Sequence, residues 1–414
     1  MRVLYLHQYF ITRRGYTGTR SYEFARRLVG RGHDVTMMTS GRHAAPEITC
    51  PPDRDYVEAD VEGIGVLGIN AAYNNSMEGT RLSGMQRMRQ FHHFARLAVR
   101  IATGREKPDI VFASHTPLTI GLAGMRIADH FKIPFVFEVR DVWPDALVNC
   151  GALRNPLVVW YLRRMAKKIY AAADHIVALS PGMKDGVVAA DVDPDKVTVI
   201  TNGSDMDLFR PDLDGSCERE RLGLGDRFCA IYFGAMGRAN GLGYAVDAAA
   251  VLKQRGRADI VIVLHGGGAE RELLMRKVAD LQLDNVVFSD PVPDKAQVAR
   301  IVAACDACLT IYASTRREQS WSPNKLFDAL SAGKPVLCNV PGWLADLIES
   351  NDCGRHVDPD HPDRLAESLI QLADDRELCA RMGRAGRALA QREFSREVLT
   401  DRLERVLTHA VDRG

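Results

Sequence analysis

Twice along its 414 residues the chain alternates short apolar runs with amphipathic helical segments. The first half opens on Val3–Leu6 and then carries a helical stripe of Tyr22, Ala25, Leu28 and Val29 over about 19–29. It returns to strand at 32–39, and further apolar runs follow at 109–113, 135–139, 175–180 and 197–201, whereas 40–65 reads as loop. The alternation restarts at Cys229–Phe233 and continues through Ile260–Leu264 and Asn285–Phe288, with helices expected at 270–281 and 295–304. Strands apolar along their whole length bury both faces, which a parallel sheet covered by helices on each side provides. The expected fold class is α/β, with two doubly wound Rossmann-like parallel-sheet domains, an N-terminal one over 1–205 and a C-terminal one over 206–393. Polar, poorly patterned text up to Arg227 is the expected linker.

A net charge of +1 gives no global pull toward nucleic acid, so any electrostatic preference is local. The N-terminal Met1–Leu6 reads as a strand too short for a signal peptide, and no apolar run is long enough to span a bilayer. Nine scattered cysteines fit a reducing compartment better than a disulfide framework. Cys305 and Cys308 form a CxxC inside what reads as a buried strand, with no second CxxC to complete a zinc site. Three Asp-x-Asp pairs, Asp191/Asp193, Asp205/Asp207 and Asp212/Asp214, sit in turn and linker text rather than at a strand end. The expectation is therefore no metal and no cofactor. GxGxxG is absent from both halves, which argues against a dinucleotide enzyme.

The stretch 319–335 carries the chemistry. Ser322 is an expected cap, Pro323 suits a first helical position, and Gly333 with Pro335 ends the helix. Leu326, Ala329 and Leu330 form its apolar stripe. Lys325 is anomalous, because the helix dipole disfavours a cation in the first turn. A bound phosphate would reverse that sign, since free N–H groups and a lysine together hold an anion. Asp328, three residues on, is placed to accept from hydroxyls such as those of a ribose. A surface helix with an i,i+3 ion pair is the plain alternative. Glycines 234, 237, 241 and 243 imply close backbone approach, and Arg238 supplies a charge beside them. His265–Gly268 and Ser289–Pro293 follow later strands.

Pro323-Asn-Lys-Leu-Phe-Asp-Ala-Leu-Ser-Ala-Gly-Lys-Pro-Val336 resembles the donor-site helix of family 4 glycosyltransferases, in particular the WbuB-like branch associated with bacterial surface polysaccharides. The resemblance implies the GT-B fold, its two domains facing across a cleft, with a C-terminal helix over about 394–414 packing back on the first. It implies a hexosyltransferase-type enzyme that moves a sugar from a nucleotide-sugar donor, uridine before guanosine, to a hydroxyl acceptor with retention. Lys325, Arg238 and Asp141 are the expected catalytic residues. The donor site would comprise Asp328, Ser322, Pro323, Asn324, Leu326, Gly234, Gly237, Gly268, Val292 and Ser320. Ser320 stands where the wider family has a glutamate, and Asn240 where many members have a lysine. The acceptor side would use Gly15, Gly18, Arg20, Arg140 and Asp141, the last two in a WbuB-like Arg-Asp-Val-Trp-Pro144.

The segment from Arg81 to Arg105 holds arginines and no carboxylate, with Met88, Phe91, Ala95 and Val99 at helical spacing. It reads as a core-facing helix or as a basic amphipathic helix on lipid. Arg163, Arg164, Lys167 and Lys168 make a second basic run. A polyprenyl-diphosphate-linked sugar as acceptor, met at the inner face of the plasma membrane by a cytoplasmic protein, would account for both runs. The competing readings are transfer to a small secondary metabolite, a nucleotide-sugar 2-epimerase using His115, His265 and Glu138, and an inactive nucleotide-sugar-binding scaffold.

Overall fold

The structure is a computed structural model, and it describes the whole chain except residues 16–17, 42–47, 72–83, 150, 152, 314–319 and 414. The chain divides into two compact units, Met1–Thr201 with Glu397–Gly414 and Asn202–Arg396.

In the first unit the strands are β1 (Arg2–Leu6), β2 (Asp34–Ser40), β3 (Tyr56–Val61), β4 (Ile64–Ile69), β5 (Ile110–Ser114), β6 (Phe135–Val139), β7 (His175–Ala178) and β8 (Val197–Val199). Among the described residues they form one sheet in the order β3-β4-β2-β1-β5-β6-β7-β8. Every neighbouring pair is parallel except β3 with β4. The helices are α1 (Arg20–Gly30), α2 (Gly84–Thr103), α3 (Thr119–Phe131), α4 (Asp145–Asn149), α5 (Pro156–Ala172) and α6 (Pro181–Val188). The central strands β5 and β6 are buried throughout, as their unbroken apolar text requires. Asn155 caps α5 by accepting from Leu157 and Val158, and Pro156 opens it.

Reading 40–65 as loop is corrected by the β3–β4 hairpin. Tyr56–Val61 alternates exposure and burial, and its turn at Glu62-Gly63 has φ of 55° and 82°, a two-residue connection that glycine favours. The alternation was masked by the acidic outward residues Glu58 and Asp60.

The second unit has α7 (Ser216–Arg221), α8 (Gly243–Gln254), α9 (Arg271–Asp280), α10 (Lys295–Ala303), α11 (Asn324–Ser331), α12 (Trp343–Ser350), α13 (Pro362–Asp374) and α14 (Arg376–Leu389). Its strands are β9 (Phe228–Phe233), β10 (Ile260–His265), β11 (Val286–Ser289), β12 (Ala307–Thr310), β13 (Val336–Cys338) and β14 (Gly354–His356). Among the described residues they form a wholly parallel sheet in the order β11-β10-β9-β12-β13-β14. One apolar cluster packs on each face. Helix α15 (Arg396–Arg413) follows, and its residues from Glu397 on belong to the first unit, where Leu399, Leu403 and Leu407 are wholly buried.

Candidate active site

In the second unit the side chains of interest gather where β9, β10 and α11 meet. Tyr232 near the end of β9 donates from its hydroxyl to Ala235 O at 2.7 Å. Tyr312 is held by both ends of Asn339, whose Oδ1 accepts from Tyr312 N and whose Nδ2 donates to Tyr312 O, each at 2.8 Å. The Tyr312 ring leans on Trp321 with centroids 4.4 Å apart. Between the two tyrosines lies Lys325, the second residue of α11. Its Nζ is 3.7 Å from the centre of the Tyr232 ring and 5.6 Å from that of Tyr312. Ring faces carry partial negative charge and hold the ammonium without neutralising it. No carboxylate bears on Lys325 among the described residues, and desolvation pushes its pKa down to about 7. The i,i+3 ion pair with Asp328 is therefore not formed.

The glycine turns above this lysine are shaped by one another. A Cβ on Gly266 would stand 2.1 Å from Gly234 O, and one on Gly268 would stand 2.6 Å from Met236 O. Their φ values of 130° and 149°, with 138° at Gly234, are open to glycine and rarely to other residues. Met236 N donates to Gly267 O at 2.8 Å, so the loops after β9 and β10 are tied together. The close approach expected of these glycines is first of all to each other. A Cβ on Gly234 would nevertheless lie 3.4 Å from Lys325 Nζ, which puts that turn's backbone directly over the amine. Gly237, at φ −112°, needs no glycine for its conformation. Next to it the Arg238 side chain is 97% exposed and lies 4.0 Å from Glu270. Val292 is half-buried against the core. Ser320 is half-buried beside the undescribed 314–319.

Two expectations on α11 are corrected. Pro323, not Ser322, takes the N-cap position, and no side chain caps the helix. Ser322 Oγ instead accepts from Asn202 N at 3.0 Å, anchoring the helix entry. Asp328 is 4% exposed and does not face open space: its Oδ1 accepts from Ser204 Oγ at 3.0 Å and lies 3.8 Å from Lys295 Nζ. Burial raises its pKa. The neighbouring Asp205, wholly buried, pairs with Lys295 at 2.6 Å and Arg396 at 3.2 Å. This charged knot anchors the underside of α11, and Asp328 is part of it. Asn324 Oδ1 is buried with no partner among the described residues, and Leu326 is core.

In the first unit, polar groups collect at the carboxyl ends of β1, β5 and β6. Arg140 Nη1 donates to His7 Nε2 at 2.9 Å, and His7 Nδ1 is 2.7 Å from Ser21 Oγ. Because a guanidinium can only donate, His7 Nε2 accepts and the proton sits on Nδ1. Among the described residues, Gln8 is wholly buried with neither amide atom bonded, and Thr19 Oγ1 and both ring nitrogens of His115 are likewise buried and unpartnered. Burial and the nearby Arg140 push the His115 pKa down to about 3. Buried polar atoms without partners are uncommon and mark places where a ligand or water completes the set. His7, Gln8 and Thr19 were not anticipated, although a polar pair directly after an apolar strand is the same signal that singled out Arg140 and Asp141.

Arg20 is corrected. It is 1% exposed and spends its guanidinium on Glu138 at 2.8 Å and on the carbonyls of Ile200 and Thr201. It ties α1 to β6 and to the segment after β8 and is closed to an acceptor. Asp141 is exposed. Gly15 packs on Ile11, and Gly18 lies just beyond the undescribed 16–17. Of the residues an epimerase would use, Glu138 is committed to Arg20, and burial drives His265 down to about 4 while its Nδ1 engages Ser289 Oγ at 3.0 Å. Among the Asp-x-Asp pairs, Asp191 binds Lys167, Asp193 caps a turn, Asp205 is in the charged knot and Asp214 bonds Ser216. Cys305 and Cys308 are buried, and desolvation pushes the Cys308 thiol up to about 12.

Residues 17–203 match the glycosyl transferase 4-like domain and residues 217–389 the glycosyl transferases group 1 family. The probable glycosyltransferase WbjE of Pseudomonas aeruginosa is 24% identical over 67% of this chain and 69% of its own. The D-inositol 3-phosphate glycosyltransferase of Thermomonospora curvata is 25% identical over 94% of this chain and 89% of its own. Sucrose-phosphate synthase from Thermosynechococcus elongatus superimposes with a TM-score of 0.77 at 17% identity, covering 100% of both chains. Anabaena HepE in complex with UDP and glucose gives 0.70 at 18% identity, covering 99% of each. The chain is a glycosyltransferase built on the GT-B fold, its first half matching the glycosyl transferase 4-like domain and its second half the glycosyl transferases group 1 family.

Proposed function

We propose that the enzyme moves a sugar from a uridine diphosphate donor to a hydroxyl on a lipid-linked glycan, with retention, in the assembly of a bacterial surface polysaccharide at the inner face of the plasma membrane. The observation that carries the donor half is Lys325, a cation without a carboxylate among the described residues, at a helix start, under the Gly234 turn. An anion arriving there restores the charged lysine and meets the unsatisfied N–H groups of α11. HepE, which shares the fold, is known with UDP and UDP-glucose. WbjE, a distant relative, is a probable glycosyltransferase of a bacterium.

In the proposed step the bond between the sugar's anomeric carbon and the leaving diphosphate oxygen breaks. Negative charge grows on that oxygen, and Lys325 with the α11 N-terminus stabilises it, joined by Arg238 swinging inward. The acceptor hydroxyl attacks from the same face, and its proton passes to the leaving phosphate. No protein carboxylate need become covalent, and no metal is required if these groups carry the charge. The Gln8, Thr19, His115 and Arg140 cluster supplies donors and acceptors for sugar hydroxyls.

Lys325→Met tests the donor half. Loss of a charge-assisted contact to the developing dianion costs about 2–4 kcal/mol of barrier, a fall of about 30- to 1000-fold in kcat. Donor hydrolysis and transfer within a few-fold of wild type would refute the role. EDTA should leave wild-type turnover unchanged; a full loss restored by Mn²⁺ would show that the protein groups do not suffice.

A further inference from the structure

Helices α2 and α5 carry no aspartate or glutamate between them, in a chain with 53 acidic and 54 basic residues. Both pack, with α3, on the same face of the first unit's sheet, their buried residues joining one apolar cluster. Each leads into a parallel strand, α2 into β5 and α5 into β7, so each runs back against the strands and starts at the sheet's carboxyl edge. That edge also carries His7, Gln8, His115 and Arg140.

The starts of these two helices are exposed and carry apolar and basic side chains together. On α2 burial begins only at Phe91, whose carbonyl accepts from Thr119 Oγ1 at the first residue of α3. The two turns before Phe91 therefore project past the start of α3 by about 10 Å, and they hold Met85, 71% exposed, with Arg87 and Arg89. On α5 the outward stripe at helical spacing is Leu157, Trp160, Tyr161, Arg164 and Lys168, the first three 76%, 62% and 46% exposed. Local acids account for part of the positive charge: Asp145 takes Arg163, Asp191 takes Lys167 and Asp55 takes Arg100. Arg87, Arg89, Arg164 and Lys168 have no acidic partner among the described residues.

We infer that this edge seats the protein on an anionic lipid bilayer. Leu157, Trp160 and Tyr161 enter the headgroup layer, where an indole and a phenol find both an apolar and a wet environment. Arg87, Arg89 and Arg164 meet lipid phosphates, and their stems lie along the apolar residues. The commitment to lipid follows from charge. A rim of unpaired cations around exposed aromatic residues, with no acid on either helix, fits an extended anionic plane. A second copy of the same surface would set those cations against each other. The inference deepens the proposed lipid-linked acceptor, because it puts the bilayer beside the polar cluster that would receive that acceptor's sugar.

The test is sedimentation of the full chain with large vesicles of phosphatidylcholine, with and without phosphatidylglycerol, at low and high salt. Wild type should pellet with the anionic vesicles at low salt, release at high salt and ignore the neutral vesicles. Leu157→Ser/Trp160→Ser and Arg87→Gln/Arg89→Gln/Arg164→Gln should each bind at least about tenfold more weakly. Both keep the buried faces of α2 and α5 intact, and matching melting curves confirm their folding. Wild type failing to pellet at low salt, or either folded variant pelleting as wild type does, overturns the inference. So does self-association that the variants abolish while vesicles are ignored, which would assign the surface to a second copy. Donor hydrolysis without acceptor, measured on the same proteins, separates this from the transferase reading: vesicle binding without donor turnover upholds the seat and counts against the transferase alone.

Discussion

A lysine whose pKa burial lowers to about 7, between two tyrosine rings, couples function to stability at a single side chain. Its unfolded value is 10.5, so between about 7 and 10.5 the folded, ligand-free protein binds fewer protons than the unfolded chain. Stability contributed by this group therefore rises with pH through that window and is lowest below pH 7. Lys325→Met should melt higher than wild type at pH 6.5, and its advantage should shrink toward pH 10, while catalysis falls. A pH-independent difference in melting temperature would show that the amine is not desolvated in the free enzyme. Lysine 325 was legible in the sequence because a cation in a first helical turn violates a local rule. Arg20 and Asp328 were not, because their partners Glu138 and Ser204 lie 118 and 124 residues away and decide their burial. A charged residue with a distant buried partner looks, in sequence, like one that awaits a ligand.

At the scale of elements, the parallel strands announced themselves by continuous apolar text, whereas the β3–β4 hairpin did not, its outer face being acidic and its turn a Glu-Gly rather than an Asn-Gly. The glycine loops were legible as close approaches, but only the fold tells what approaches. Gly266 is the tightest of these positions. Alanine there meets Gly234 O at 2.1 Å with φ at 130°, so the Gly234 turn must shift relative to Lys325. Gly266→Ala should cost about 2 kcal/mol or more of stability, and donor turnover should fall further than the melting shift alone explains. A variant that is destabilised yet turns over donor normally at low temperature would mean that the position of the turn does not matter to the lysine site.

At the scale of the molecule, the first unit is completed by residues far from it in sequence. The chain leaves that unit at Thr201, builds the second, and returns through α15. Leu399, Leu403 and Leu407 of that helix are 0% exposed in the same cluster as Phe24 and Leu28 of α1. Around them Arg27 pairs with Glu397 at 2.8 Å, Arg31 with Asp401 and Glu404 at 2.6 Å, and His33 with Glu404 at 2.7 Å. The pairs are partly solvated and are worth about 0–1 kcal/mol each. Three buried leucines, at about 2–5 kcal/mol each when truncated, rival the 5–15 kcal/mol by which a domain is stable. The apolar term wins, and the arginine–carboxylate seam sets register rather than stability. A chain ended at 396 should therefore lose the packing of its first unit, shown by dye binding to exposed apolar surface and loss of the aromatic circular dichroism of that unit. Glu397→Gln/Asp401→Asn/Glu404→Gln should keep both and melt within a few degrees of wild type. If the triple variant unfolds as readily as the truncation, the seam rather than the leucine face holds the helix, and the first unit's stability should then fall with added salt.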